Sequence, residues 1–198
     1  MIIIGITGSI GMGKTTISSM LKLLRIPIFD SDKEVKEILE KNSEAIDKIL
    51  NIWPEIEIPG QKIRGINKLL LSEIVFSKIE DKKTLEKIIH PIVKVKRLKF
   101  IRKQKKSYFI GLDIPLLYET GTDKICDYIF LVNTSKKIQR ERVLSRRNMT
   151  EKKFDQINKL QWSFERKKKR KPLLINTSFG KIFSFLTILI YLLGILIK

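Results

Sequence analysis

Eight residues near the N-terminus, Gly8-Ser9-Ile10-Gly11-Met12-Gly13-Lys14-Thr15, constrain this chain more than any other feature. They satisfy G-x-x-x-x-G-K-[ST], in which each fixed position has its own physical task. Gly8, Gly11 and Gly13 let the backbone turn tightly and let phosphate oxygens come close, so that main-chain N–H groups converge on an anion. Lys14 brings a mobile positive charge to the β- and γ-phosphates of a nucleotide. Thr15 has a hydroxyl suited to Mg²⁺, and a helix starting here turns its positive end toward the phosphates. The flanks agree with this reading. Residues 2–7 are an apolar run of the kind buried on both faces of a parallel sheet, and Ile17, Met20, Leu21 and Leu24 follow at helical spacing. A glycine-rich turn without chemistry leaves that strand–loop–helix context unexplained.

A second strand is predicted at Pro27-Ile28-Phe29-Asp30, which completes a βαβ unit. Residues 31–105 read as mostly helical, with breaks at Trp53-Pro54, Pro59-Gly60 and His90-Pro91. Residues 108–113 and 128–133 are apolar runs expected as central strands, and Leu173-Leu174-Ile175 is a candidate fifth. Between the last two strands, 135–147 and 151–171 are basic helical patterns meeting at Asn148-Met149-Thr150, an arrangement that resembles a mobile lid. The alternation predicts an α/β fold in three α/β/α layers around a five-stranded parallel sheet.

A phosphate loop alone does not separate a kinase from a GTPase or a motor ATPase. Asp30-Ser31-Asp32 adds a constraint, because it falls at the carboxyl end of a strand, the edge where open α/β sheets bind ligands. Asp32 reads either as a general base for an attacking hydroxyl or as the N-cap of a helix over 33–40. Asp113 closes the third strand, where an acidic residue supports Mg²⁺ or simply ends a strand.

Composition bounds the remaining possibilities. One domain fits 198 residues. The single cysteine, Cys126, cannot form an internal disulfide, which fits a reduced, cytoplasmic setting, and no targeting peptide is read at the N-terminus. The formal net charge of +19 suits polyanionic company or reflects compositional bias. A nucleic-acid-binding protein is the rival class, resting on that charge and on the basic run Arg166-Lys167-Lys168-Lys169-Arg170-Lys171. No zinc-finger spacing or aromatic RNA-binding signature accompanies it, so no specific nucleic acid partner is expected. Residues 182–197 are almost wholly apolar and lack the polar face of a surface helix. They fall short of the roughly 20 apolar residues of a membrane span. The segment reads as a buried or self-associating helix, with membrane contact or a frameshifted end as alternatives. The oligomeric state is not legible.

Gly5-Ile6-Thr7-Gly8 with the phosphate loop, Pro27-Ile28-Phe29-Asp30-Ser31-Asp32, Ile89-His90-Pro91 and Asp113-Ile114-Pro115-Leu116-Leu117-Tyr118-Glu119 together resemble dephospho-CoA kinase in order and spacing. The resemblance extends over residues 1–176 and includes Gln139, Gln161 and Ile175-Asn176. It implies transfer of the ATP γ-phosphoryl group to the ribose 3′-hydroxyl of dephospho-CoA, the last step of coenzyme A synthesis. Another small hydroxyl acceptor, such as a nucleoside monophosphate, is the alternative. By the same resemblance, Asp32 becomes the catalytic base, assisted by Lys14, Arg142 and Arg146. ATP would lie on Gly11, Met12, Gly13, Lys14, Thr15 and Thr16, with Asn176 beside it. The acceptor would contact Asp32, His90 and Leu116, and Mg²⁺ would be held by Thr15 and Asp113. The implied organisation is one domain over 1–178, with a core of 1–31, 107–135 and 172–178, a helical acceptor-binding region over 32–106 and a lid over 136–171. An apolar segment, 179–198, follows. Departures from the family pattern are Ser9 and Met12 in the loop, Gln156 where an arginine is frequent, and Lys171-Pro172 before the last strand.

Overall fold

Strand β1 (Ile2–Thr7) lies at the middle of the sheet, where Ile4 and Ile6 are fully buried. A run with no charged side chain tolerates that position because helices cover both faces of the sheet. The phosphate loop follows, then α1 (Lys14–Leu23) and β2 (Ile28–Asp30). Next come α2 (Ser31–Lys41), α3 (Ser43–Ile52), the two-residue strands β3 (Glu57–Ile58) and β4 (Gly65–Ile66), α4 (Lys68–Ser77) and α5 (Ile79–Lys103). The chain continues through β5 (Phe109–Asp113), β6 (Tyr128–Asn133), α6 (Lys136–Leu144), α7 (Glu151–Leu160), α8 (Phe164–Lys168), β7 (Leu173–Asn176) and α9 (Gly180–Leu196). This computed structural model describes residues 1–60, 64–147 and 149–197, and for Phe76 the backbone alone. Asn148, expected in the turn between the lid helices, and Lys198, the last residue of the apolar segment, lie outside the described residues.

The chain divides into two units. Met1–Phe29 with Gln104–Lys198 form one and Asp30–Lys103 the other. The sheet is five-stranded and parallel throughout, in the order β2-β5-β1-β6-β7. Its register sets Ile6 opposite Asp113 on one side and Phe130 on the other. The end of β1, from which the phosphate loop springs, therefore has the carboxyl ends of β5 and β6 as neighbours. One core cluster joins the sheet residues Ile4, Ile6, Phe130 and Ile175 to Ile17, Met20 and Leu21 of α1 and to Ile188 and Leu192 of α9. The apolar terminal segment is thus a helix with one long side in the main core.

The second unit has its own core, built on Ile46, Ile49, Leu50, Trp53, Ile56, Ile66 and Leu71. Helices α2, α3 and α4 begin at side-chain caps. Asp30 accepts from the Lys33 N–H at 3.1 Å, Asn42 from the Ala45 N–H at 2.9 Å and Asn67 from the Leu70 N–H at 3.2 Å. The cap of α2 is therefore Asp30. Asp32 stands in the first helical turn, where its charge opposes the positive helix end. The capping reading of Asp32 is corrected accordingly.

Two further expectations change, and one small element has no counterpart among them. No break occurs at His90-Pro91, because α5 runs through Pro91 for 25 residues. Glu80 and Asp81 in its first turn and Arg102 and Lys103 in its last complement the helix dipole. The pattern over 151–171 is two helices, since Ser163 accepts from the Arg166 N–H at 3.3 Å and starts α8 afresh. The small antiparallel β3–β4 pair within the helical unit went unread.

Candidate active site

Helix α1 is preceded by Gly13, which has φ 95° and no side chain to cap the helix, so no side chain competes with an anion for the positive dipole end, and the Thr16 N–H turns back to the Gly13 carbonyl at 3.0 Å. Gly11 has φ 79°, and a Cβ there would fall 2.5 Å from Val143 Cγ2 and 2.9 Å from the Gln139 carbonyl oxygen. Only glycine fits. The Met12 side chain is buried in the main core, so this residue offers a ligand its backbone alone.

Side chains from distant parts of the sequence hold the loop's shape. Ile10 is clamped at both backbone groups. Its N–H donates to Gln161 Oε1 at 3.1 Å and its carbonyl accepts from Gln139 Nε2 at 2.8 Å. Thr177 Oγ1 donates to the Met12 carbonyl at 2.9 Å and lies 3.3 Å from the Asn133 carbonyl. Arg142 reaches the same threonine, with Nη1 donating to Thr177 Oγ1 at 2.9 Å and Nη2 to the Thr177 carbonyl at 3.3 Å. That guanidinium also stands 3.4 Å from the place a Cβ on Gly13 would occupy, so Arg142 lies against the phosphate loop.

Asp113 supplies the negative charge beneath the loop. It closes β5 with its side chain only 3 % exposed, paired through Oδ1 with Lys14 Nζ, while Ser18 Oγ donates to Oδ2 at 2.5 Å. Lys14 is therefore parked on a buried carboxylate at the start of α1. Thr15, next to it, has an exposed hydroxyl-bearing side chain and Thr16 is half-buried. Thr15 and Asp113 are hard oxygen donors of the kind Mg²⁺ takes. Among the described residues no group of three or more His, Cys, Asp or Glu side chains could hold a metal. That donor set suits an ion that completes its octahedron with phosphate oxygens and water, and Mg²⁺ fits it.

The turn after β5 joins this floor to α8. Glu119 Oε1 accepts from the Trp162 N–H at 2.7 Å and lies 3.3 Å from Nζ of Lys167, which is fully buried. Burial pushes the Lys167 ammonium below its ordinary pKa, with Glu119 opposing the shift. The Tyr118 phenol is pushed up to about 12, chiefly by burial and next by the charge of Asp123. The Trp162 ring stacks parallel to Tyr118 at 6.0 Å and carries the Arg166 guanidinium 3.6 Å from its centroid. The basic run is thus partly built into the fold, and only the remainder forms a solvated face.

The remaining candidates fall in different places. Arg146 is exposed two residues beyond α6, so of the two lid arginines only Arg142 is seated on the loop. Asn176 ends β7 and its Oδ1 accepts from the Ser178 N–H at 2.9 Å, shaping the turn into α9. Leu116 is half-buried in the turn after β5, and its carbonyl accepts from Thr120. His90 is exposed on α5 of the other unit, on a groove lined by Lys83, Lys87 and Lys94. Two contributors escaped the sequence reading. Ser18 sits one helical turn after Lys14, a spacing that points it at the same partner, whereas Thr177 has no local signal.

A phosphate loop between the central strand of a parallel sheet and its helix, with a lysine held by a carboxylate from the adjacent strand, defines the class of P-loop kinases. Residues 2–181 match the dephospho-CoA kinase family, and the chain belongs to that family. The dephospho-CoA kinase of Bartonella henselae is 41 % identical over 178 residues, which cover 88 % of each chain. The crystal structure of TT1252 from Thermus thermophilus superposes with a TM-score of 0.83 at 27 % identity, covering 98 % of this chain and 96 % of that one. The dephospho-CoA kinase of Campylobacter jejuni shares the fold, with a TM-score of 0.68 at 23 % identity over 98 % and 96 % of the two chains. The protein is accordingly an ATP-dependent kinase, the enzyme of the final step of coenzyme A biosynthesis.

Proposed function

We propose that this site transfers the γ-phosphoryl group of ATP to the 3′-hydroxyl of dephospho-CoA with Asp32 as the general base. The observation that carries the donor half is Lys14, held on Asp113, whose other carboxylate oxygen accepts from Ser18, beneath a loop that side chains have already shaped. A preformed cradle of N–H groups receives the triphosphate without reorganising, which is the condition for strong electrostatic stabilisation. Lys14 then exchanges the Asp113 carboxylate for the β- and γ-phosphates. Arg142, anchored by Thr177, neutralises charge on the transferring group, and Arg146 and Asn176 contribute at the rim. Thr15 and Asp113 would hold Mg²⁺, which would supply charge neutralisation to the phosphates when bound. Asp32 takes the proton of the attacking hydroxyl, and His90 and Leu116 contact the acceptor. A cytoplasmic setting belongs to this reading, supported by the lone, half-buried Cys126.

Asp32→Asn tests the assignment. The amide keeps the shape of the side chain and removes its basicity, so kcat should fall by about 10²–10⁴-fold, while the ATP Kd by titration should stay within about twofold. Unchanged turnover removes Asp32 from the mechanism.

A further inference from the structure

Helix α9 has two unlike long sides. Ser184, Ile188, Leu192 and Ile195 are buried, and Ile188 and Leu192 join the α1 residues in the main core. On the opposite side Phe179, Ile182, Leu186, Ile190, Leu193 and Ile197 are 52–86 % exposed. Their spacings of three and four residues align them in one stripe along the helix. Single exposed apolar side chains are ordinary on a protein surface. A continuous stripe of large ones marks a contact surface.

Charge and dimension select what the stripe meets. Residues 14–26 and 171–197, which contain α1, β7 and α9, include no Asp or Glu, yet carry Lys14, Lys22, Arg25, Lys171 and Lys181. Lys22, Arg25, Lys171 and Lys181 are exposed. A second copy seated here would bring together two chains of net charge +19 each, and these elements offer no acidic side chain as countercharge. A helix of 17 residues is about 26 Å long. Pairing two such faces covers less than the roughly 1,200 Å² of a stable dimer. Nucleic acid would engage the lysines and leave the stripe in water. An anionic bilayer satisfies both features, with acyl chains for the stripe and headgroups for the exposed basic side chains of these elements. No helix among the described residues is long and apolar enough to cross a membrane, and the inner side of α9 is committed to the core. Against such a bilayer the helix would lie along the surface.

We propose that α9 is a docking helix that seats this protein on anionic lipid surfaces. The test is flotation of the full chain with vesicles of phosphatidylcholine alone or with about 30 % phosphatidylglycerol, alongside sedimentation velocity without lipid. The expected result is a monomer that floats with the anionic vesicles and binds the neutral ones at least about tenfold less. Ile182→Glu combined with Leu186→Glu and Ile190→Glu should cut anionic binding by about tenfold or more, as should Lys22→Glu with Lys181→Glu. Both variants should retain the wild-type circular dichroism and the lipid-free kinase rate. Flotation no greater than a no-vesicle control overturns the proposal, as does equal binding to neutral vesicles. A concentration-dependent dimer dissolved by the triple variant also overturns it and assigns the stripe to a second copy.

Discussion

Lys167 is under electrostatic tension. Its ammonium is fully buried, and among the described residues Glu119 is what offsets the loss of water. Lys167→Met alone leaves that carboxylate without its countercharge and should cost about 3–5 kcal/mol of unfolding free energy. Adding Glu119→Gln should recover most of the loss, because an uncharged pair has little desolvation penalty. The sign of the pH dependence follows from the depressed lysine. Its folded pKa lies below the ordinary 10.5, so between those two values the unfolded chain binds more protons. The burial cost is present in full below the folded pKa and disappears as pH rises through it. Denaturant titrations from neutral pH upward should show wild type gaining on the Lys167→Met/Glu119→Gln variant as pH approaches 10.5. A pH-independent difference contradicts this account of the pair. Such a contact is invisible in sequence, where Lys167 is one of six consecutive basic residues. Thr177 is equally silent, because it lies 165 positions along the chain from Met12, which it meets only in the folded sheet.

At the scale of elements, two helices carry separable predictions. Asp30 ends β2 and caps α2, so Asp30→Ala should cost about 1 kcal/mol, read as a lower denaturant midpoint with an unchanged slope. The proline inside α5 removes one backbone donor from the middle of a 25-residue helix. Pro91→Ala restores it and should raise stability by about 1–3 kcal/mol, measured by the same titration; a loss of stability would mean that the ring packs favourably enough to outweigh the bond. Strands were the most legible elements. Tyr128–Asn133 was read to the residue, because buried parallel strands are unbroken apolar runs bounded by polar residues. Helix ends were harder. The pattern over 151–171 concealed the Ser163 cap, whose serine does not interrupt a basic helical pattern, and β3 and β4 are two residues each, too short for any alternation to register. His90-Pro91 misled for a different reason, since a proline signals a boundary only where the helix has no tertiary packing to sustain it. Ile89 beside it is buried against Ile38 and Ala45.

For the molecule as a whole, the phosphate loop was legible as chemistry and its supports were not. Gly11, Gly13 and Lys14 announce themselves by spacing, whereas the clamps on Ile10 and Thr177 come from residues that the folded sheet brings to one edge. The net charge of +19 suits polyanionic company or reflects compositional bias. The nucleotide site accounts for part of that charge, and the proposed lipid contact of α9 would use more of it. The central claim is that this chain moves a phosphoryl group from ATP to dephospho-CoA. It is tested most directly by ADP release from the full-length chain with ATP, Mg²⁺ and a panel of acceptors that includes dephospho-CoA and nucleoside monophosphates. The account predicts turnover with dephospho-CoA well above the other acceptors, a new phosphate on the ribose 3′-oxygen by ³¹P NMR, and a loss of about 10²-fold or more in Lys14→Met. Background turnover with dephospho-CoA across a range of Mg²⁺ concentrations, or faster turnover with a nucleoside monophosphate, would contradict it.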